Sequence, residues 1–230
     1  MRGRALQPDG VERLTPSAVR LQLVSPTKTL PTRPGWLYEP KLDGCRVLLG
    51  KDGPAVQVRV RGGGLVQSNV PEVVASVGRL RAEHVVLDGE LVVVDENGRT
   101  DFDAACARLR SPHGPAVTVF VFDIFALEGE DLRARPLRER KRLLAEVLGP
   151  GDSTICPVHF ISGPPDPLIA AVDDLELEGV VAKWEGAPYQ GGRTSLWQKL
   201  VLRRPSKGWR VEERPRGDMG PASRGRQSGG

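Results

Sequence analysis

The chain has 230 residues, 39% of them apolar and 27% charged, with a formal net charge of +4. That length and apolar share predict one catalytic-sized core. No stretch reaches the roughly 18 uncharged apolar residues of a membrane span, and the N-terminus has Arg but no apolar signal core, so a cytoplasmic protein without membrane association is expected.

Residues 1–19 are assigned as an N-terminal lead-in, 20–202 as the folded domain and 203–230 as a tail. The apolar patch "VRLQLV" precedes the proline-rich "SPTKTLPTRP". Strand-like runs then dominate: "WLYEPK", "CRVLLG", "VQVRV", "HVVLDG", "LVVVDE", "AVTVFVFDIFAL", "STICPVHF", "GVVAKW" and "SLWQKLVL". "KDG" at 51–53 and "DENG" at 95–98 carry turn chemistry and predict hairpins. Helical patterns occupy "NVPEVVASVGRLRAE", with Asn69 as cap and Pro71 in the first turn, then "DFDAACARLR", "RPLRERKRLLAEVLG" ending at Gly149, and "PDPLIAAVDDLELEG". Strands and helices do not alternate regularly. The expected class is therefore α+β: twisted antiparallel β-sheets flanked by helices.

Residues 203–230 hold eight Lys/Arg against three acids, so the tail carries the basicity and the remainder is near neutral. Rich in Gly, Pro, Ser and Arg, this tail is expected to be disordered and able to hold nucleic acid electrostatically. Cys45, Cys106 and Cys156 are widely spaced and form no C-x-x-C pair, and His84, His113 and His159 are equally scattered. Neither a disulfide framework nor a zinc site is expected.

Chemistry concentrates around "YEPKLDGCR". The pattern K-x-D-G arises by chance in roughly one chain in twenty of this length. Lys41 lies where a strand ends among apolar neighbours, and desolvation with nearby cations would supply the neutral amine that a nucleophile requires. A surface lysine paired with Asp43 fits the same segment. Further on, "VVLDGEL", "VFVFDIFALEGEDL", "ELEGVVAK" and "GGRTSLWQKL" each place charge inside or at the edge of an apolar strand. The fixed residues of E-G-V-V-x-K arise by accident only about a few times in ten thousand such chains.

This ordered set resembles the adenylation domain of ATP-dependent DNA ligases, within the covalent nucleotidyltransferases that include RNA ligases and capping enzymes. The similarity runs from about residue 20 to 201 and is closest to the ligase part of bacterial non-homologous end-joining ligases, which carry a stretch similar to "ALEGEDLRARPLRERKRLL". The resemblance implies an ATP-grasp-like nucleotidyltransferase fold. It implies that Lys41 attacks the α-phosphate of ATP, that Glu39 and the backbone around Leu42 contact adenine, and that Arg46 contacts the nucleotide sugar or the nick. Arg61 takes the place of the Arg in the family's S-R-N-G element. Glu90 would bind ribose or Mg2+, Phe122 would stack on adenine, Glu178 would bind Mg2+, and Lys183 and Lys199 would hold the α-phosphate. Asp43 would assist nick sealing. Nicked or broken double-stranded DNA is the implied substrate, in repair and recombination.

Three features depart from the family. The 29 residues after Val201 are fewer than the roughly 50 of an OB-fold, so no OB-fold domain is expected and a protein partner would supply the DNA clamp. Val201 stands where the family has a second lysine two places after Lys199. "VRGGG" keeps Arg61 but lacks the Ser and Asn. Two other readings stay open: a catalytically reduced accessory that binds nucleotide or DNA ends, and a nucleotidyltransferase acting on RNA or using GTP.

Overall fold

The computed structural model describes residues 4–6, 12–96 and 98–202; the predicted basic tail lies outside them. Thirteen strands and four α-helices follow one another among the described residues. Strands β1 (Arg4–Leu6) and β2 (Glu12–Leu14) pair with each other. The other strands make two sheets.

The first sheet has the order β11-β4-β12-β13-β3, formed by β3 (Gln22–Pro26), β4 (Trp36–Lys41), β11 (Ile161–Ser162), β12 (Gly179–Trp184) and β13 (Gly192–Val201). Register makes its two faces different. Trp36, Tyr38, Val180, Ala182 and Leu200 pack with Val172, Leu168 and Ile169 of helix α4 (Asp166–Asp174). Because side chains alternate along a strand, Glu39, Lys41, Lys183, Trp197 and Lys199 share the opposite face.

The second sheet runs β10-β8-β7-β5-β6, with β9 (Glu130–Asp131) on β8. Its members are β5 (Cys45–Asp52), β6 (Ala55–Val60), β7 (His84–Val92), β8 (Thr118–Leu127) and β10 (Ile155–Pro157). One face, including Val47, Leu49, Leu87, Val119 and Val121, builds the main core with helices α1 (Pro71–Gly78), α2 (Phe102–Arg108) and α3 (Leu137–Leu148). The other turns Leu48, Val86, Phe125 and Ala126 toward Trp197 and Tyr189 of the first sheet's side, joined by Leu14 and Val19 from the lead-in. The charged face of the first sheet therefore looks into an inter-sheet cleft.

Strand β8 departs from simple alternation. Its register with β7 shifts twice, so that Asp88 opposes Asp123, Gly89 opposes Val121, and Phe122 is an extra residue. Such a bulge re-aims side chains. Here the consecutive residues Phe122 and Asp123 leave the main core, while Val121 and Ile124 remain in it.

The predicted strands and helices are present with several corrections. The two runs "HVVLDG" and "LVVVDE" form one strand, β7, because the apolar pattern continues through Gly89 with Glu90 at the cleft. The "KDG" turn closes the β5–β6 hairpin with Gly53 at φ +55°, whereas the loop around "DENG" closes only a single bridge between Val94 and Thr100. Two pairings are parallel, β10 with β8 and β13 with β3, within otherwise antiparallel sheets. Asn69 does not cap α1; Val70 stands there, and the Asn69 amide donates to the Leu109 carbonyl at 2.8 Å. Asp101 caps α2, accepting from the Ala104 N–H at 2.9 Å.

Candidate active site

Lys41 ends β4 opposite Gly179, the first residue of β12, and Glu178 immediately precedes that strand. This register brings the Lys41 Nζ into an ion pair with Glu178 Oε2. The expected apolar surroundings are thus completed by a carboxylate in contact with Lys41.

Two residues back along the same face, Glu39 is buried between two lysines. Lys183 Nζ donates to its Oε2 at 2.6 Å, and Lys141 Nζ from α3 lies 2.5 Å from its Oε1. Lys183 also sits 4.2 Å from the Phe122 ring centre and 4.3 Å from that of Trp197, a cation held against two aromatic faces. Burial lowers the Lys183 pKa to about 8, with Lys141 adding to the effect and Glu39 opposing it.

Lys199 occupies the same face on β13, opposite Val181. Burial and then the charge of Lys41 push its ammonium below the usual lysine range, with Arg193 and Arg61 adding and Glu178 opposing. Arg61 is exposed in the turn after β6, its backbone N–H donating to the Arg46 carbonyl at 3.2 Å. Val201 pairs with Gly179 and shares the face of Lys199 and Lys41, so an apolar side chain stands where a further cation would have met the cleft.

Arg46 is committed inside the protein. It donates to both Asp88 oxygens, at 2.9 and 2.5 Å, and to the Gln22 carbonyl at 2.6 Å, with the Tyr189 hydroxyl 3.3 Å away. Glu90 is directly opposite Arg46 in the β5–β7 register. Burial raises its pKa to about 7; Lys41 and Arg46 counter this, and Asp88 and Glu178 reinforce it. Asp43 follows the same logic and rises to about 6, through burial and then Glu178, with Lys41 opposing. Its N–H points toward the Thr100 hydroxyl, 3.4 Å away. Leu42 lies in the turn beside Lys41, partly buried.

Several residues with structural roles at the cleft were not singled out from the sequence. Arg140 donates to both oxygens of Asp123, at 2.8 and 2.9 Å, with both side chains completely buried. This pair fastens α3 to the bulge of β8. A signal for Arg140 and Lys141 was present, since in α3 the buried positions are Leu137, Arg140, Lys141, Leu144 and Leu148, which puts two cations on the apolar stripe. Cys45 and Cys106 are also brought together, with Sγ atoms 2.7 Å apart, although the sequence had left them scattered.

Two packed sheets thus enclose the strand end that carries Lys41, the buried acids Glu39 and Glu178 and the cations Lys183 and Lys199. Residues 21–200 match the ATP dependent DNA ligase domain, and the chain belongs to that family. It is 35% identical over 173 residues to the multifunctional non-homologous end joining protein LigD of Pseudomonas aeruginosa, which covers 74% of this chain and 20% of that protein. With LigD of Mycolicibacterium smegmatis it shares 34% identity over 195 residues, covering 84% of this chain and 24% of the relative. The chain thus spans about a fifth to a quarter of these relatives.

Among solved structures, the ligase domain of M. tuberculosis LigD superposes with a TM-score of 0.69 at 27% identity, covering 80% of this chain and 61% of that one. A mycobacterial DNA ligase D complexed with ATP and MES gives 0.66 at 28%, covering 81% and 61%. Chlorella virus DNA ligase-adenylate shares the fold, with a TM-score of 0.58 at 16% identity, covering 79% of this chain and 68% of that one. No helix among the described residues is long and apolar enough to cross a membrane.

Proposed function

We propose that this chain is the adenylating part of an ATP-dependent DNA ligase acting in double-strand break repair or recombination, in the cytoplasm. The observation that carries the proposal is the convergence of Lys41, Glu178, Glu39, Lys183 and Lys199 on one sheet face, from three strands and a loop far apart in sequence.

In the proposed reaction, Glu178 releases Lys41, whose Nζ gives a proton to solvent water, and the neutral amine attacks the α-phosphorus of ATP and sheds a second proton to water. A P–N bond forms, the bond to the bridging oxygen breaks, and pyrophosphate leaves with that electron pair. Charge builds on the non-bridging α-phosphate oxygens, where Lys183 and Lys199 would stabilise it. Glu39 and the Leu42 backbone would meet adenine, Phe122 would stack on it, and Arg61 would face the sugar and phosphates. Arg46, committed to Asp88 at rest, would reach sugar or nick only after a rearrangement. AMP would then pass to a DNA 5′-phosphate, with Asp43 assisting the sealing step. A partner supplying a DNA clamp would hold the duplex.

Glu90 and Glu178 suit Mg2+. They offer hard oxygen donors near the cleft; burial is the main cause of the raised Glu90 pKa, and Glu178 adds a smaller contribution. Mg2+ commonly completes its shell with phosphates and water, so two carboxylates would suffice on the protein side. Bound there, Mg2+ supplies charge neutralisation at the phosphates.

Incubation with α-labelled ATP and Mg2+ tests the proposal. Label should survive denaturation on wild type and be missing from Lys41→Ala. A wild type that takes no label at any ATP concentration favours the nucleotide- or DNA-end-binding accessory instead. Stronger labelling by GTP favours a capping-type enzyme. The basic stretch 203–230 is proposed to add sequence-independent DNA affinity, so its deletion should weaken binding chiefly at low salt. Equal binding by the deleted chain removes that part of the proposal.

A further inference from the structure

We propose that Lys141 is a positioning residue for Lys183: by holding Glu39 from the side of α3, it frees the Lys183 ammonium to leave that carboxylate for a nucleotide phosphate. The inference rests on the role of Lys183 as a phosphate-binding lysine.

The geometry is a carboxylate shared between two cations. Lys183 donates to Glu39 Oε2 at 2.6 Å, while Lys141 Nζ lies 2.5 Å from Oε1 as an ion pair outside hydrogen-bond geometry, with each of the three side chains less than 5% exposed. The nearby acids Asp88 and Asp123 are each bound by both oxygens to an arginine, Arg46 and Arg140. One carboxylate and two ammoniums leave an excess positive charge inside the protein. Such an excess is costly until an anion arrives.

The two lysines are not equivalent. Lys141 extends from α3, and its Nζ lies 5.4 Å from the Phe160 ring centre. Lys183 extends from β12, with its Nζ between Glu39 and the Phe122 and Trp197 rings, on the face shared with Lys41 and Lys199. When Lys183 turns to a phosphate, Glu39 keeps a counterion because Lys141 stays. Without Lys141, Lys183 and Glu39 form a closed neutral pair, and departure of Lys183 strands a buried carboxylate. Lys183 is then pinned where it rests.

Single-turnover labelling with α-labelled ATP tests this in wild type, Lys141→Met, Lys141→Arg, Glu39→Gln and the Glu39→Gln/Lys141→Met double variant. Lys141→Met should slow labelling at saturating ATP about 10-fold, and Lys141→Arg should recover most of the rate. In the Glu39→Gln background, Lys141→Met should change nothing further, since no carboxylate remains to pin Lys183. Wild-type rates in Lys141→Met, or equal fold losses in both backgrounds, overturn the inference. Lys141→Gln replaces the Met variant if that one does not fold.

A second readout needs no turnover. In an NMR titration of lysine side chains, Lys183 should titrate near 8 in wild type, lowered by burial and then Lys141 against the opposing acids Glu39, Asp123 and Asp88. In Lys141→Met it should move up toward the ordinary value of 10.5; an unmoved Lys183 overturns the inference. If wild type takes no label, the phosphate role of Lys183 fails, and the titration still decides whether Lys141 controls it.

Discussion

Lys41 and Glu178 are 137 residues apart in the chain and form an ion pair across the β4–β12 pairing. The pair ties the proposed nucleophile to a proposed metal-binding carboxylate. Glu178→Gln keeps the shape and removes the charge, so the variant should fold and its adenylation rate should fall by about 10²-fold. Single-turnover labelling compared with a thermal melt separates the two effects. Labelling at the wild-type rate would remove Glu178 from the reaction.

Arg46 and Asp88 predict a large stability effect. Asp88 is completely buried and both its oxygens are taken by Arg46. Asp88→Ala leaves a guanidinium inside the protein without its carboxylate and should cost about 3–5 kcal/mol. Urea unfolding measures this. Arg46→Lys should also destabilise, because an ammonium cannot reproduce the paired donation.

Gly44 sets the backbone that follows Lys41. A Cβ there would collide with the Leu91 carbonyl oxygen and come within 2.8 Å of Val92 Cγ1. Gly44→Ala should therefore push the 41–44 turn off β7, costing about 1–3 kcal/mol, and should lower labelling by more than this loss of stability explains. Full labelling at a temperature where the variant is folded would show that the turn tolerates the shift.

Lys183 gives a pH dependence with a definite sign. Its folded pKa of about 8 lies below the ordinary 10.5, so between these values the unfolded chain binds more protons. The stability linked to its neutral form is present above 10.5 and is lost as pH falls through about 8. The full difference is about 3 kcal/mol. Melts between pH 8 and 10.5 should rise more steeply in wild type than in Lys183→Met; equal slopes would contradict the assignment.

The strands bearing Lys41, Arg46, Glu90, Lys183 and Lys199 were legible because each sets a charged side chain in or beside an apolar run, and the strand bearing Phe122 because Asp123 does the same. The Asn69 cap was misplaced because the chain uses a proline-led start for α1 and spends the Asn69 amide on the Leu109 carbonyl. Lys141 was passed over because charged residues fill the middle of its helix, although Arg140 and Lys141 fall at helical spacing on the stripe of Leu137, Leu144 and Leu148.

The sequence by itself determined the element types, the cleft-bearing strands and the family, since these depend on local periodicity and on motifs a few residues long. Tertiary structure alone decided the partners. Sheet register placed Lys41 on Glu178, the bulge in β8 turned Asp123 toward Arg140, and the packing of α3 set Lys141 against Glu39. A charged side chain leaves its partner unspecified in local sequence, because the energy of a buried ion pair comes from groups that folding brings within hydrogen-bond reach and out of water.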